Sequence, residues 1–184
     1  MPAQTDKELA LHDGMRELWE QHVAWTRLTI VSFACGTPEL ATTQARLLRN
    51  QVDIGNAIKP YYGRAAGNQL TRLLKEHITG AVDVLVAAKA GDNAKLAQAK
   101  SAWYVNGRQV ADFLSAANQS NWPRAVMRSM MKAHLDQTLN EAVAQLTGKY
   151  GASVRQYDAI EHHILAMADA LSSGIAKQFP DRFR

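Results

Sequence analysis

Apolar residues recur every three or four positions through almost the whole chain, and nowhere do they alternate with period two over the length of a strand. Alanine, leucine, glutamine and lysine, all good helix formers, dominate. The pattern predicts an all-α protein. Its interruptions are sharp. Gly36-Thr37-Pro38-Glu39 ends one helix and starts the next, with proline at the first helical position. Gly91-Asp92-Asn93 does the same, and Pro60 to Gly67 is a further junction. Asn121-Trp122-Pro123 opens a helix that Gly148 and Gly151 close. Six helices are expected, near 7–35, 38–59, 66–90, 93–117, 122–147 and 152–178, in a single helical-bundle domain over 1–184 with a short tail at 179–184.

Three segments are alike: Leu18-Trp19-Glu20-Gln21-His22, Leu73-Leu74-Lys75-Glu76-His77 and Met130-Met131-Lys132-Ala133-His134. Each histidine precedes a helix-ending glycine (Gly36, Gly91, Gly148) by 14 residues, and the histidines lie 55 and 57 residues apart. The chain thus reads as three antiparallel helical hairpins, an internal repeat of about 55 residues. With a rise of ~1.5 Å per residue on both arms, each histidine should face a position ~14–17 past its turn. Asp53, Asn106 and the pair His162-His163 occupy those windows.

The apolar stripes point these groups inward, because side chains at i, i+3 and i+4 share a helix face. His22 continues Leu11, Met15, Leu18 and Trp25; His77 continues Leu70, Leu73, Ala81 and Val84. His134 follows Met127, Met130 and Met131, and His163 continues Ile160, Met167 and Ala170. Neutral imidazole is the commonest protein metal ligand, and bundle cores are a usual place for metal sites. His22, His77 and His134 are therefore candidate ligands to a divalent ion (Zn, Fe or Mn), with Asp53 or His163 as the fourth. Asn106 and Asn56 would hold ligands or a metal-bound water in place. Such a site would suit a metal-dependent hydrolase or oxidase. The alternative is a non-enzymatic interaction or ligand-sensing protein whose core histidines form a hydrogen-bonded network. The sequence does not decide whether the chain is an enzyme.

Charge and composition narrow the field. The balance of 21 basic to 17 acidic residues is mild, and the row Arg124, Arg128, Lys132 reads as a solvated helix face. Nucleic acid is not an expected partner. The most apolar run, Leu28 to Cys35, is far shorter than the ~20 residues of a membrane span. No basic segment leads into an apolar core at the N-terminus, so neither a membrane nor a secretory route is expected. A single cysteine, Cys35, fits a reducing, cytoplasmic setting. A small-molecule ligand and a homo-oligomer are both compatible with the chain.

At Leu18-Trp19-Glu20-Gln21-His22-Val23-Ala24-Trp25-Thr26-Arg27, at Asn50-Gln51-Val52-Asp53-Ile54-Gly55-Asn56, and at Lys177-Gln178-Phe179-Pro180, the chain resembles a family of small bacterial all-α proteins. Some members carry glycosyltransferase or acetylglutamate kinase labels. Helices without strands cannot supply the nucleotide-binding sheet those enzymes use. The family implies no established catalytic residues. The His22-x-x-Trp25 element is faintly similar to the DinB-like helical metal proteins, whose second, closely spaced histidine pair this chain lacks.

Overall fold

A computed structural model describes residues 5–184. It holds five α-helices: α1 (Asp6–Cys35), α2 (Leu40–Ala90), α3 (Asn93–Ala117), α4 (Arg124–Leu146) and α5 (Tyr150–Gln178), then a 3₁₀ turn, Pro180–Arg182. No strand occurs among the described residues. Helix α1 opens on a capping box: Thr5 Oγ1 accepts from the Glu8 N–H, and Glu8 Oε2 accepts from the Thr5 N–H. Gly36, Gly91 and Gly148, expected as helix ends, sit at φ 67°, 68° and 72°, a left-handed conformation that costs a residue with a Cβ.

The count of five differs from the expected six because the junction at Pro60–Gly67 takes a single residue. Helix continues through Pro60, Tyr61 and Tyr62, breaks at Gly63 (φ 82°, ψ 169°) and resumes at once. The two arms of α2 then lie against each other. A Cβ on Gly55 would fall 2.6 Å from the Gly67 carbonyl oxygen, whereas twelve residues of straight helix would separate the two by about 18 Å.

Neighbour packs on neighbour around a ring: α1 on α2, α2 on α3, α3 on α4, α4 on α5 and α5 on α1. The start of α1 meets the last residue, with Lys7 Nζ donating to the Arg184 carbonyl at 2.6 Å. The segment after α5, expected as a plain tail, is docked. Phe183 is buried and stacks on Tyr61 at 5.7 Å, while Phe179 packs edge-on to Tyr62 at 5.3 Å.

The interior is filled by residues at matching distances from the three histidines. Met15, Leu70 and Met127, seven positions before, are buried in the main core with Trp19, Leu74 and Met131, three before. Ile30, Leu85 and Ala142, eight positions after, form a second, smaller cluster of their own. No helix among the described residues is long and apolar enough to cross a membrane.

Candidate functional site

His22 (α1), His77 (second arm of α2) and His134 (α4) lie together between these layers, each at most 4% exposed. The ring centroids of His22 and His134 are 5.7 Å apart, and those of His77 and His134 6.2 Å. Trp19 meets His22 edge-on at 5.6 Å, and Trp103 stacks on His77 at 5.3 Å. Each histidine's own carbonyl accepts a side-chain donor: Thr26 Oγ1 at 2.7 Å, Trp103 Nε1 at 3.1 Å and Thr138 Oγ1 at 2.8 Å.

Partners on facing helices set the protons on two of the three rings. Asn106 Nδ2 donates to the Leu73 carbonyl at 3.1 Å, which turns its Oδ1 toward His77 Nδ1 at 3.0 Å. His77 therefore carries its proton on Nδ1 and keeps a bare lone pair on Nε2. Gln51 Nε2 donates to the Leu47 carbonyl at 2.8 Å and faces His22 Nδ1 at 3.2 Å. That makes Nδ1 of His22 the acceptor and puts its proton on Nε2. His134 Nδ1 has no partner, nor have Gln51 Oε1 and Trp19 Nε1, although all three atoms are buried.

A second set of bonds runs across the hairpins. Asn50 Nδ2 donates to the Leu18 carbonyl at 3.0 Å, Asn106 Nδ2 to that of Leu73, and His163 Nε2 to that of Met130 at 2.9 Å. Each accepting residue lies four positions before a histidine of the cluster.

Two of the residues expected at the site, Asp53 and Asn56, stand elsewhere, and a third, His163, lies beside His134 with its Nε2 turned onto a backbone carbonyl. Asp53 is half-buried and ion-paired with Arg49 at 3.2 Å, so it does not face His22. The residue across from His22 is Gln51, two positions earlier in the same window. Asn56 is exposed on the far side of its helix. His163, half-buried, is occupied by the Met130 carbonyl, and its neighbour His162 points to solvent. The missed residue was marked by periodicity: Leu47, Gln51, Ile54 and Ile58 form one buried stripe, and Asp53 lies off it. Among the basic residues, Arg124 and Arg128 pair with Asp112 and Lys132 with Asp136.

Burial governs the electrostatics. His22 is pushed down to about 3, by desolvation first and by the proximity of His77 second, against the Gln51 contact. Desolvation pushes His77 down to about 4, against its bond to Asn106. His134 falls well below the usual imidazole range through burial and then through His22, His77 and His163. All three rings are neutral at pH 7, the state that binds a metal ion.

As the side chains stand, no three His, Cys, Asp or Glu groups among the described residues are placed to hold an ion. Three imidazoles on one tetrahedral ion would bring their centroids to roughly 5 Å, from the 2.0–2.1 Å metal–nitrogen bond length. The two separations from His134, 5.7 and 6.2 Å, are both wider. His77 and His134 offer unprotonated nitrogens. His22 would offer Nε2 once the Gln51 amide turns over to accept from Nδ1–H, a change that gives up the Gln51 bonds to the Leu47 carbonyl and Asn50 Oδ1.

A second buried polar set lies between α1, α4 and α5. Arg27 Nη1 donates to Glu141 Oε1 at 2.7 Å and to Ser153 Oγ at 3.2 Å, and Ser153 Oγ donates to Gln145 Oε1 at 3.0 Å. The Arg27 guanidinium also covers the Tyr157 ring at 5.1 Å. Burial raises the Glu141 carboxyl, and Arg27 pulls it back. Compared with models of protein families, with curated proteins and with solved structures, the chain matches none.

Proposed function

We propose that the protein binds a first-row divalent ion (Zn, Fe or Mn) through His22, His77 and His134. The observation that carries this reading is the convergence of three neutral, fully buried imidazoles from three helices, with His134 Nδ1 left unpartnered. An unsatisfied buried nitrogen costs about 1–3 kcal/mol, and an ion would recover it. Asn106 would act as the outer support of His77, fixing the tautomer that leaves Nε2 for the ion.

No carboxylate faces the three rings, because Glu141 is held by Arg27 and Asp53 by Arg49. The charge of a divalent ion here would be offset by an anionic fourth ligand from outside. A water on the ion would be made acidic, the starting point of a hydrolase or oxidase reaction.

The regular bonding supports the further reading that the chain is a threefold internal repeat of hairpins. Asn50, Asn106 and His163 hold equivalent carbonyls, and the layers at minus seven, minus three and plus eight recur in all three units.

A second reading, a metal-free polar layer in a non-enzymatic protein, is favoured by the spacing of the ligating groups as they stand. Metal analysis of protein purified without a histidine tag separates the two. The metal-binding reading expects one ion per chain, lost in His77→Ala, and tetrahedral d–d absorption on adding Co²⁺. Metal-free protein that gives no Co²⁺ spectrum at millimolar Co²⁺ would overturn it.

A further inference from the structure

A pocket of about 40 Å³, partly open to solvent, lies between α1, α2, α3 and α4, just past the imidazole layer. Thr26, Ala81 and Thr138, each four residues after a histidine, are among its walls, and Ile30, Leu85 and Ala142 line it one turn further on. Trp103, which stacks on His77, is also in the wall. The space is several times the roughly 10–15 Å³ that one water needs.

Its walls offer water nothing to hold. The only lining hydroxyls are those of Thr26, Thr29 and Thr138. All three are turned back onto their own helices, donating to the carbonyls of His22, Trp25 and His134 at 2.7, 2.8 and 2.8 Å. With their protons spent on these carbonyls, the hydroxyls add almost no polar surface to the lining, which is apolar nearly throughout. A buried water needs two to four polar partners, and cavities without them stay dry and take up apolar guests. Half-buried Thr26, Ala81, Val82 and Leu139 form the part of the wall nearest solvent.

We propose that this cavity binds a small uncharged apolar molecule of about two or three heavy atoms, the size of dioxygen, one helical turn from the imidazole layer. The site is made by the packing of the helices alone and does not depend on an ion among the histidines.

Xenon is the probe. Under xenon pressure the methyl resonances of Ile30, Ile78 and Leu85 should shift saturably, while those of distant Ile58 stay fixed. Ala142→Leu and Ala81→Leu fill the space from two different walls, and whichever stays folded by circular dichroism should lose the response. Chelator-treated protein should respond like the natural chain, which separates this result from the fate of the metal site. No saturable shift in the natural chain, an undiminished shift in a folded Leu variant, or water cross-peaks to these methyls would overturn the proposal.

Discussion

The core contains two polar layers built on opposite plans. The set around Arg27 and Glu141 is charged and its contacts close on themselves: guanidinium on carboxylate and hydroxyl, hydroxyl on amide, cation on ring. The imidazole layer is uncharged, yet Gln51 Oε1, Trp19 Nε1 and His134 Nδ1 have no partner. A closed network holds helices in register and asks for nothing more. An open one keeps a standing cost, which a bound group would relieve. The difference teaches that burial alone does not mark a site; several unpaired polar atoms gathered in one layer set it apart.

Acid should break the comparison most strongly. Unfolded histidine titrates near 6.5, and all three folded rings titrate lower. Below pH 6.5 the unfolded chain therefore binds more protons than the folded one, and stability falls with pH toward the folded values of about 4 and 3. Between pH 7.5 and 5.5 the loss should be on the order of 4 kcal/mol for three such groups. Urea midpoints will read it, and the triple variant His22→Gln, His77→Gln, His134→Gln should be nearly flat over that range. A flat profile in the natural chain would dissolve the buried cluster.

Glu141→Leu attacks the closed layer. It leaves the Arg27 guanidinium, 22% exposed, without its carboxylate and should cost about 1–3 kcal/mol in chemical denaturation, because a partly desolvated charge loses its partner. Arg27→Met in the same chain should recover most of the loss. Without recovery, the layer would not be a self-contained pair.

A smaller and more pointed effect separates histidines within the open layer. In metal-free protein, His77→Leu leaves Asn106 Oδ1 without its donor and should lower stability by about 1–2 kcal/mol. His134→Leu removes an orphaned nitrogen and should be neutral or raise stability by about 1 kcal/mol. Equal losses at both positions would mean that His134 is satisfied in the protein. Smallest of all, Asp53→Ala breaks only the partly exposed pair with Arg49 and should change stability by less than about 0.5 kcal/mol.

Much of this was legible in the chain. Three glycines at equal distances from three histidines marked the helix ends, because a left-handed residue is the cheapest way to stop a helix. The apolar stripes put His22, His77 and His134 inside, and antiparallel register set Asn106 across from His77. Other features were not readable. Pro60 reads as a break, yet the helix carries it and stops three residues later at Gly63, because a proline forfeits one backbone bond while only a glycine takes the reversal without strain. Charge drew attention to Asp53 when the stripe favoured Gln51. The role of His163 depends on which carbonyl of a different helix comes within reach, and no local pattern carries that information. The docked Phe183 was hidden for the same reason.

The contact between Lys7 and Arg184 has a consequence for how the chain can be rewired. Because the helices close a ring and the start of α1 touches the last residue, order along the polypeptide is not what holds the ring together. A circular permutant that joins the ends through a short glycine-serine linker and opens between Gly91 and Asp92 keeps every helix whole. It should also keep all three histidines in their layer, while α3 leaves the ribosome first and the second arm of α2, its partner across Gly91, leaves last.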